Sequence, residues 1–359
     1  MPEFKTDKIL DKHENINIAE MKPLISPWVL KDEHQMTPQI KQQIITHRNI
    51  ISNILNGHDD RLIVITGPCS IHDVDSAIEY AQFLKTMTNK YPNLFIIMRV
   101  YFEKPRTNIG WKGLINDPDL NNTFNINKGI KLARKLLIDI CELGLPIGCE
   151  FLDTIIPQYI SDLVSWGAIG ARTVESQVHR ELVSGLSMPV GFKNSTSGNI
   201  RVALDSVISA KNKHSFLGIT NEGTPAIITT NGNENTHIIL RGGSDGPNYS
   251  PENVKNVAQM IDGEQLDTNI IIDCSHGNSQ KNHKNQILVA KNIIDQIVHS
   301  EKRIRGIMLE SHLVEGKQKL DTKEKLLYGQ SITDSCIDLD TTEEIFKYHS
   351  QNGYFHQSL

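Results

Sequence analysis

The amino-acid sequence has none of the features that mark membrane-spanning, secreted or nucleic-acid-binding proteins. No apolar stretch reaches the roughly eighteen residues that a membrane span needs, and the first residues, Met-Pro-Glu-Phe-Lys, contain no apolar secretion signal. The net charge of -5 leaves no basic excess with which to hold a polynucleotide. We therefore expect a cytoplasmic protein with no membrane partner and no nucleic-acid partner.

Two further absences narrow the fold class. The five cysteines are odd in number and include no Cys-x-x-Cys pair, which argues against a disulfide scaffold and against a zinc ribbon. The fingerprint Gly-x-Gly-x-x-Gly of dinucleotide-binding proteins does not follow the first apolar run, which ends in Gly67-Pro68-Cys69. With 359 residues, of which 38% are hydrophobic, the chain is nevertheless able to bury a large core.

From residue 61 onward, short apolar runs alternate with helical patterns that have one apolar face, for example at residues 126–140 and 287–297. Apolar runs separated by helices are typical of a parallel sheet covered by helices. The runs that we interpret as strands are residues 62–66, 94–100, 145–151, 168–171, 189–192, 237–240, 270–273 and 304–309.

Eight strand and helix pairs predict an α/β protein with a closed (β/α)8 TIM barrel. A doubly wound open sheet is the alternative, and the missing dinucleotide fingerprint argues against it. Two parts do not fit the repeat. An arm and a helix, with the cap Thr37-Pro38 and the end Asn56-Gly57, precede the barrel, and a β-ribbon at about residues 214–235 is inserted before strand 6. We therefore predict a regulatory or oligomerisation segment at 1–58 and a catalytic barrel, including the ribbon, at 59–359.

Every predicted strand end carries an ionisable group, and in a barrel of this kind the loops after the strands form the active site. Cations so near a core need anionic partners, and several on one face would repel each other without a polyanion. These residues therefore predict a site for phosphate and carboxylate groups, with structural ion pairs as the alternative for each cation taken singly. The cations are Arg99, Lys104, Arg106, Arg172, Lys193 and Arg241.

A second set of strand-end and loop residues has the chemistry of metal ligands. A thiolate, an imidazole and carboxylates suit Mn, Fe, Co or Zn and not Mg or Ca, which avoid thiolate. Sequence spacing alone gives no reason to group them, and the alternative is an inert buried cysteine and a structural histidine. The set is Cys69, His276, Glu310 and Asp334.

Eight segments, in this order across about residues 14 to 345, resemble one known family. They begin at Gly67 (GPCSIHD), Met98 (MRVYFEKPRT), Gly110 (GWKGLINDP), Gly170 (GART), Gly191 (GFKN), Ile239 (ILRGG), Asp273 (DCSHGNS) and Tyr328 (YGQSITD). These segments are similar to those of class I 3-deoxy-D-arabino-heptulosonate-7-phosphate (DAHP) synthase, in its feedback-regulated form.

The resemblance implies a transferase that condenses phosphoenolpyruvate with erythrose 4-phosphate and releases phosphate, at the start of the shikimate route to aromatic amino acids. It implies one divalent metal ion (Mn, Fe, Co or Zn) per subunit on Cys69, His276, Glu310 and Asp334. It assigns phosphoenolpyruvate to Arg99, Lys104, Glu150, Arg172, Lys193 and Arg241, and the phosphate of the tetrose to Arg106 and Thr107. Lys104, Lys193 and Glu150 are the implied catalytic residues, and the water at C2 has Glu150, Lys104 or metal-bound water as its activating group.

The family includes members that phenylalanine, tyrosine or tryptophan inhibits, and the arm and the ribbon resemble their regulatory additions. The absence of a side chain at Gly218 favours tyrosine over phenylalanine, and plain packing is the alternative role for the matching residues. In a homodimer or homotetramer, a neighbouring subunit would supply Asn15. The matching effector residues are Asn15, Pro157, Gln158, Leu182, Leu186, Ser187, Phe216 and Gly218.

Two other functions remain open. One is a 3-deoxy-octulosonate 8-phosphate synthase, which acts on arabinose 5-phosphate with the same barrel and chemistry. The run Lys104-Pro-Arg-Thr and the regulatory additions argue against it. The other is a non-catalytic sensor of aromatic amino acids on the same barrel, and the complete set of cations and ligands argues against that function.

Overall fold

The computed structural model describes residues 14–299 and 301–352. Residues 1–13 of the predicted arm and 353–359 of the predicted barrel segment lie outside this range. The described helices are α1 (Pro27–Glu33), α2 (Pro38–Leu55), α3 (Val74–Lys90), α4 (Ile126–Glu142), α5 (Pro157–Ile160), α6 (Gln177–Val183), α7 (Arg201–Ala210), α8 (Pro251–Gly263), α9 (Gln286–Val298) and α10 (Leu339–Asn352). None of them combines the length and the apolar character of a bilayer-spanning helix.

The strands divide into a barrel and two small pairs. Those of the barrel are β1 (Leu62–Gly67), β2 (Leu94–Arg99), β3 (Ile147–Glu150), β4 (Trp166–Ile169), β5 (Val190–Lys193), β8 (Thr236–Leu240), β9 (Ile270–Asp273) and β10 (Ile304–Glu310). The small pairs are β6 (Ser215–Ile219) with β7 (Pro225–Thr229), and β11 (Val314–Lys317) with β12 (Gln330–Ser331).

The eight barrel strands run parallel and close in the order β1-β10-β9-β8-β5-β4-β3-β2. The predicted (β/α)8 barrel is confirmed, and the doubly wound alternative is wrong because β1 pairs with β2 on one side and with β10 on the other. Strand β4 lies two residues before the predicted run 168–171. It begins at Trp166, whose ring fills the barrel interior, and it ends before Gly170, where the chain enters the site.

Alternation along the strands divides the core into two layers. Ile63 and Ile65 of β1 belong to the cluster inside the barrel, whereas Leu62 and Val64 pack under the surrounding helices. Helix α2 begins where the Thr37 hydroxyl accepts a hydrogen bond from an amide of the first turn. The apolar residues at its end, Ile51, Ile54 and Leu55, join the interior cluster. Helix α2 therefore closes the amino-terminal end of the barrel, and the carboxyl ends of the strands form the open face.

The ribbon of β6 and β7 is antiparallel and lies between the fifth and sixth barrel strands, as predicted. Its tip contacts helix α1 of the N-terminal arm. The Trp28 amide donates a hydrogen bond to the Asn221 carbonyl (2.7 Å), and Lys31 Nζ donates one to Asn221 Oδ1 (3.0 Å). The two segments that the barrel repeat does not explain are therefore joined to each other.

Candidate active site

A cavity of about 410 Å³ lies at the carboxyl ends of the barrel strands. Because parallel strands of a barrel end on one ring, residues far apart in the sequence meet there. The cavity is lined by nine of the residues that the sequence analysis selects, and they come from seven of the eight strand ends and from the segment after β12. These residues are Lys104, Arg106, Glu150, Arg172, Lys193, Arg241, His276, Glu310 and Asp334.

Three candidate metal ligands meet at one side of this cavity. Strands β1 and β10 pair with Gly67 opposite Glu310, which places the loop residue Cys69 beside the Glu310 carboxylate. The segment after β12 adds Asp334, whose Oδ2 lies 3.6 Å from Cys69 Sγ. One ligand atom from each of Cys69, Glu310 and Asp334 lies within 4.8 Å of the other two.

The fourth predicted ligand, His276, lies next to these three. Its Nε2 is 3.7 Å from Glu310 Oε1, and its Nδ1 is 3.0 Å from Asp273 Oδ2. A carboxylate that holds one ring nitrogen leaves the other free to bind a metal, which is the usual arrangement of a ligating histidine. The combination of thiol, imidazole and two carboxylates fits a divalent ion of intermediate softness.

Two of the predicted cations are paired with buried carboxylates. Lys193 Nζ lies 3.0 Å from Asp273 Oδ2, and Arg99 Nη2 lies 3.3 Å from Glu310 Oε1. Burial alone would raise the pKa of Asp273, but Lys193 and His276 hold it well below its usual value. The ion-pair alternative is therefore realised for Arg99, which lies beneath the cavity, and in part for Lys193, which also lines it.

The positive charges of three arginines are less compensated by nearby carboxylates. Among the described residues, Arg106, Arg172 and Arg241 form no ion pair with a carboxylate within 4.0 Å. Burial lowers the pKa of Arg241, and the nearby Arg172 guanidinium lowers it further, whereas Asp273 opposes the change. Two guanidinium groups that repel each other across a cavity favour a multiply charged anion between them.

Lys104 approaches the cavity from the loop after β2, and Glu150 approaches it from the end of β3. Lys104 Nζ lies 3.1 Å from Cys69 Sγ and 3.3 Å from the Cys69 carbonyl oxygen. Burial alone would lower the pKa of Lys104, but the Cys69 sulfur and the carboxylates of Glu310 and Glu150 raise it, so the ammonium stays charged. The Glu150 carboxylate needs a glycine at position 170, because a Cβ there would lie 2.5 Å from Glu150 Oε1.

Besides Arg99, two predicted residues of the substrate and metal sites do not reach the cavity surface. Thr107 is exposed on the loop after β2 and is not among the residues that line the cavity, although its neighbour Arg106 is. Cys69 is fully buried below the cavity floor, where it contacts Lys104 and Asp334.

Five of the predicted effector residues fall on two adjoining elements outside the barrel. Leu182 is on α6, and Leu186 and Ser187 follow in the next loop. Phe216 and Gly218 lie on the half-buried face of β6, and α6 packs against this strand. These five residues therefore border a common region beside the ribbon.

The other predicted effector residues are on other elements of the structure. Pro157 and Gln158 are on α5, which packs against α1 and α4, and Asn15 is exposed in the arm. A Cβ at Gly218 would lie 2.8 Å from Ile228 Cδ1. The Ile228 side chain therefore lies directly beside this glycine, and the preference for tyrosine over phenylalanine stays a prediction.

The sequence analysis assigned no role to several residues of the site. Asp273 ends β9 within one of the selected segments, so its position was visible but its pairing with Lys193 was not. Lys281, His283 and Lys317 also line the cavity. They lie on long loops after β9 and on β11, and only their position after barrel strands could have selected them.

Comparisons with known proteins agree over nearly the whole chain. The model of the DAHP synthetase I family matches residues 35–347. The phospho-2-dehydro-3-deoxyheptonate aldolase of Haemophilus influenzae is 50% identical over 341 residues, which cover 95% of this chain and 94% of that protein. The Phe-sensitive phospho-2-dehydro-3-deoxyheptonate aldolase of Escherichia coli K12 is 50% identical over 337 residues, which cover 94% and 96%. The solved structure of phospho-2-dehydro-3-deoxyheptonate aldolase from Francisella tularensis SCHU S4 has a TM-score of 0.92 at 52% identity, and the match covers 94% of this chain and 98% of that one.

Proposed function

The chain belongs to the DAHP synthetase I family and condenses phosphoenolpyruvate with erythrose 4-phosphate to DAHP and phosphate, and we propose that the cavity at the open end of its barrel is where this reaction takes place. The observation that carries the proposal is that one cavity brings together a buried ammonium, a cluster of metal-ligand side chains and guanidinium groups that have no carboxylate partner among the described residues.

Phosphoenolpyruvate carries a carboxylate and a phosphate on a three-carbon frame, so its removal from water requires several rigid cations. In this proposal Arg172 and Arg241 bind its anionic groups, and Lys193 binds between them while Asp273 fixes its position. Lys104 and Glu150 face the reacting carbons, and Arg99 supports the floor through Glu310. The supporting observation is that the described residues leave Arg172 and Arg241 without a carboxylate partner within 4.0 Å.

Erythrose 4-phosphate is bound in this proposal at the outer part of the same cavity. Arg106 lines the cavity on the loop after β2 and would hold the phosphate of the tetrose. Thr107 is adjacent in the chain, and it would add a hydroxyl donor after a movement of this exposed loop. The aldehyde end of the tetrose would then extend toward the cluster of Cys69, Glu310 and Asp334.

In the condensation, side chains of the cavity stabilise charge and transfer protons. As C3 of phosphoenolpyruvate bonds to the aldehyde carbon, negative charge grows on the aldehyde oxygen, and the Lys104 ammonium is near enough to the cluster to donate a hydrogen bond to it. Water then adds to C2 and gives a proton to the Glu150 carboxylate, while the charged Lys104 ammonium positions this water by donating a hydrogen bond. One proton of the water ends on the former aldehyde oxygen, and the other leaves with phosphate as the C2–O bond breaks and the C2 ketone forms. Closely spaced cations stabilise the departing phosphate.

We propose that one divalent ion, Mn, Fe, Co or Zn, is held by Cys69, His276, Glu310 and Asp334. What supports this is the approach of three ligand atoms within 4.8 Å and the hydrogen bond that orients His276. When bound, the ion supplies a Lewis acid that polarises the carbonyl group of the tetrose.

We also propose that an aromatic amino acid inhibits the enzyme by binding beside the ribbon, with residues 1–58 as a regulatory and oligomerisation segment and 59–359 as the catalytic barrel. The Escherichia coli relative is named as Phe-sensitive, and the hydrogen bonds of Asn221 join the ribbon to the arm. Exposed apolar side chains on these segments, Trp28, Leu217 and Ile227, support a homodimer or a homotetramer. The cytoplasmic location and the absence of membrane and nucleic-acid partners stay predictions from the sequence.

A phosphate-release assay on the purified full chain tests the function. We expect release with phosphoenolpyruvate and erythrose 4-phosphate together, and little with arabinose 5-phosphate in place of the tetrose. Equal or faster release with arabinose 5-phosphate would favour the octulosonate synthase, and a chain that binds aromatic amino acids but releases no phosphate would favour the sensor.

The same assay after chelation tests the metal ligands. Activity should vanish with a chelator and return when Mn, Fe, Co or Zn is added, whereas Cys69→Ala should fail to recover and should bind less metal by direct metal analysis. Full recovery of Cys69→Ala in activity and in metal content would remove Cys69 from the ligand set.

A further inference from the structure

Glu103 is a buried carboxyl group that the proposed mechanism does not use. It lies on the loop after β2, directly before Lys104, and only 5% of its surface is exposed. The described charges that act on it most strongly are the carboxylates of Asp153 and Glu150, and not a cation. A carboxyl group in such surroundings is costly to bury, so its position needs a reason.

Glu103 holds the backbone of a second active-site loop. The Asp153 amide donates to Glu103, with nitrogen to oxygen distances of 3.3 Å to Oε1 and 3.5 Å to Oε2. Asp153 lies three residues after Glu150, and its own side chain is turned into its loop, where Oδ1 accepts a hydrogen bond from the Ile155 amide (2.8 Å). The contact of Glu103 with the loop after β3 is therefore made through the backbone.

The loop that carries Glu103 is itself fixed. The Lys104 amide donates to the Lys112 carbonyl (2.8 Å), which closes the loop after β2. Gly113 has φ of 118°, and a Cβ there would lie 1.8 Å from the Phe102 carbonyl oxygen, so only glycine allows this close packing against the backbone beside Glu103. Glu103 therefore has little freedom to move independently of Lys104.

We propose that Glu103 is a positioning residue that joins the loop of Lys104 to the loop of Glu150 and so sets the spacing of these two groups across the cavity. The proposal rests on the proposed function of the cavity, in which Lys104 and Glu150 face the reacting carbons. A small displacement of either group would cost a large part of the rate, because catalysis depends on groups held at the reacting distance.

Ionisation of Glu103 should make the binding of an anionic substrate depend on pH. The groups that face it are Asp153 from the loop after β3, and Glu150 and the Cys149 thiol from β3 itself, while its neighbour Lys104 is turned toward Cys69. Burial, followed by the Asp153 carboxylate, raises the pKa of Glu103 to about 8. Below pH 8 the group is neutral, and its oxygens still accept the Asp153 amide. Above pH 8 it becomes a second negative charge next to Glu150, where an anionic substrate has to bind.

Steady-state kinetics of full-length wild type, Glu103→Gln and Glu103→Ala between pH 6.5 and 9 test this. Gln keeps a neutral acceptor, so Glu103→Gln should have wild-type kcat and KM at pH 7 but should lack the rise in KM for phosphoenolpyruvate that wild type shows near pH 8. Ala removes the acceptor, so kcat at pH 7 should fall on the order of tenfold to a hundredfold. Wild-type kinetics of Glu103→Ala, or an unchanged alkaline rise in Glu103→Gln, would overturn the proposal.

Two further measurements keep the test independent of folding and of turnover. Asp153→Asn keeps the amide but removes the neighbouring charge. A nearby negative charge raises the pKa of Glu103, so that pKa should fall and the alkaline rise in KM should move to lower pH. A carbon-13 titration of the labelled glutamate carboxyls, with the Glu103 signal identified by its loss in Glu103→Gln, should give a midpoint near 8 even without substrates. A midpoint near 4.5 would contradict the proposal even if the enzyme turns over as proposed.

Discussion

At the level of single residues, Lys193 lies in the barrel core and also lines the cavity. It is 3% exposed and is paired with Asp273, which is fully buried, while it also lines the cavity. Its charge compensates Asp273, and in the proposed function the same charge also binds an anion. Such a residue cannot be tested for catalysis by simple truncation, because the loss of one member leaves the other charge buried and unpaired.

We predict that Lys193→Ala lowers turnover by several orders of magnitude and also lowers the free energy of unfolding by about 3–5 kcal/mol. The double variant Lys193→Met with Asp273→Asn removes both charges, so it should regain most of the stability but not the turnover. Urea unfolding and the phosphate-release assay measure the two effects. A near-normal rate for Lys193→Ala would exclude Lys193 from substrate binding.

At the scale of elements, the ribbon of β6 and β7 has two different faces. Phe216 and Gly218 are half-buried on the side of α6, whereas Leu217 and Ile227 form an opposite pair that is 85% and 78% exposed. Because side chains of a strand alternate between faces, adjacent positions of β6 report on different surroundings. Ser215 is exposed on the same face as Leu217 but is polar, so position 215 is the matched control for position 218.

We expect Gly218→Ala to weaken inhibition by aromatic amino acids about two- to thirtyfold, as a coupling change of roughly 0.5–2 kcal/mol. The added Cβ would lie 2.8 Å from Ile228 Cδ1 and would shift the half-buried face of the ribbon. Turnover without effector should be unchanged, and so should the inhibition of Ser215→Ala. The measurement is the inhibition constant for phenylalanine, tyrosine and tryptophan, and identical constants for Gly218→Ala and wild type would disprove an effector site at this face.

For the molecule as a whole, protonation of buried histidines lowers the free energy of unfolding as the pH falls. His237 lies inside the barrel, where Trp166 Nε1 donates to its Nε2 (3.1 Å), and burial lowers its pKa to about 3. Its folded pKa is below the unfolded value of about 6.5, so its contribution is complete above pH 6.5 and is lost as the pH falls toward 3. Glu103 has the opposite sign, because its raised pKa makes the fold less stable as the pH rises from 4.5 to 8.

Because His237 and Glu103 change the stability in opposite directions with pH, our prediction compares wild type with a His237 variant at two pH values. Between pH 7 and pH 5, wild type should lose about 2 kcal/mol more unfolding free energy than His237→Gln, whose amide oxygen can accept the Trp166 hydrogen bond without titrating. Urea unfolding at one protein concentration measures this, since association also contributes to stability. Equal losses in the two proteins would show that His237 is not kept neutral by the fold.

The barrel could be predicted from the sequence alone, because apolar runs and amphipathic helical patterns show which residues prefer burial, and this preference is a local property of the chain. The sequence also selected the cations and ligands at the strand ends, since a parallel barrel gathers those ends whatever its details. Helix α1 was missed although Ser26 and Pro27 form a local start signal. The start of β4 at Trp166 was missed because it depends on packing inside the closed barrel.

Which charged side chains contact each other follows from the three-dimensional fold and not from the sequence pattern. The pairing of Lys193 with Asp273, the approach of Cys69 to Asp334 and the contact of Glu103 with the Asp153 amide all join different loops or strands. Such pairings depend on the register and closure of the sheet, in which Gly67 comes to lie opposite Glu310. A linear pattern records how strongly each residue prefers burial, but it does not record which distant partner closure of the barrel brings within a few ångströms.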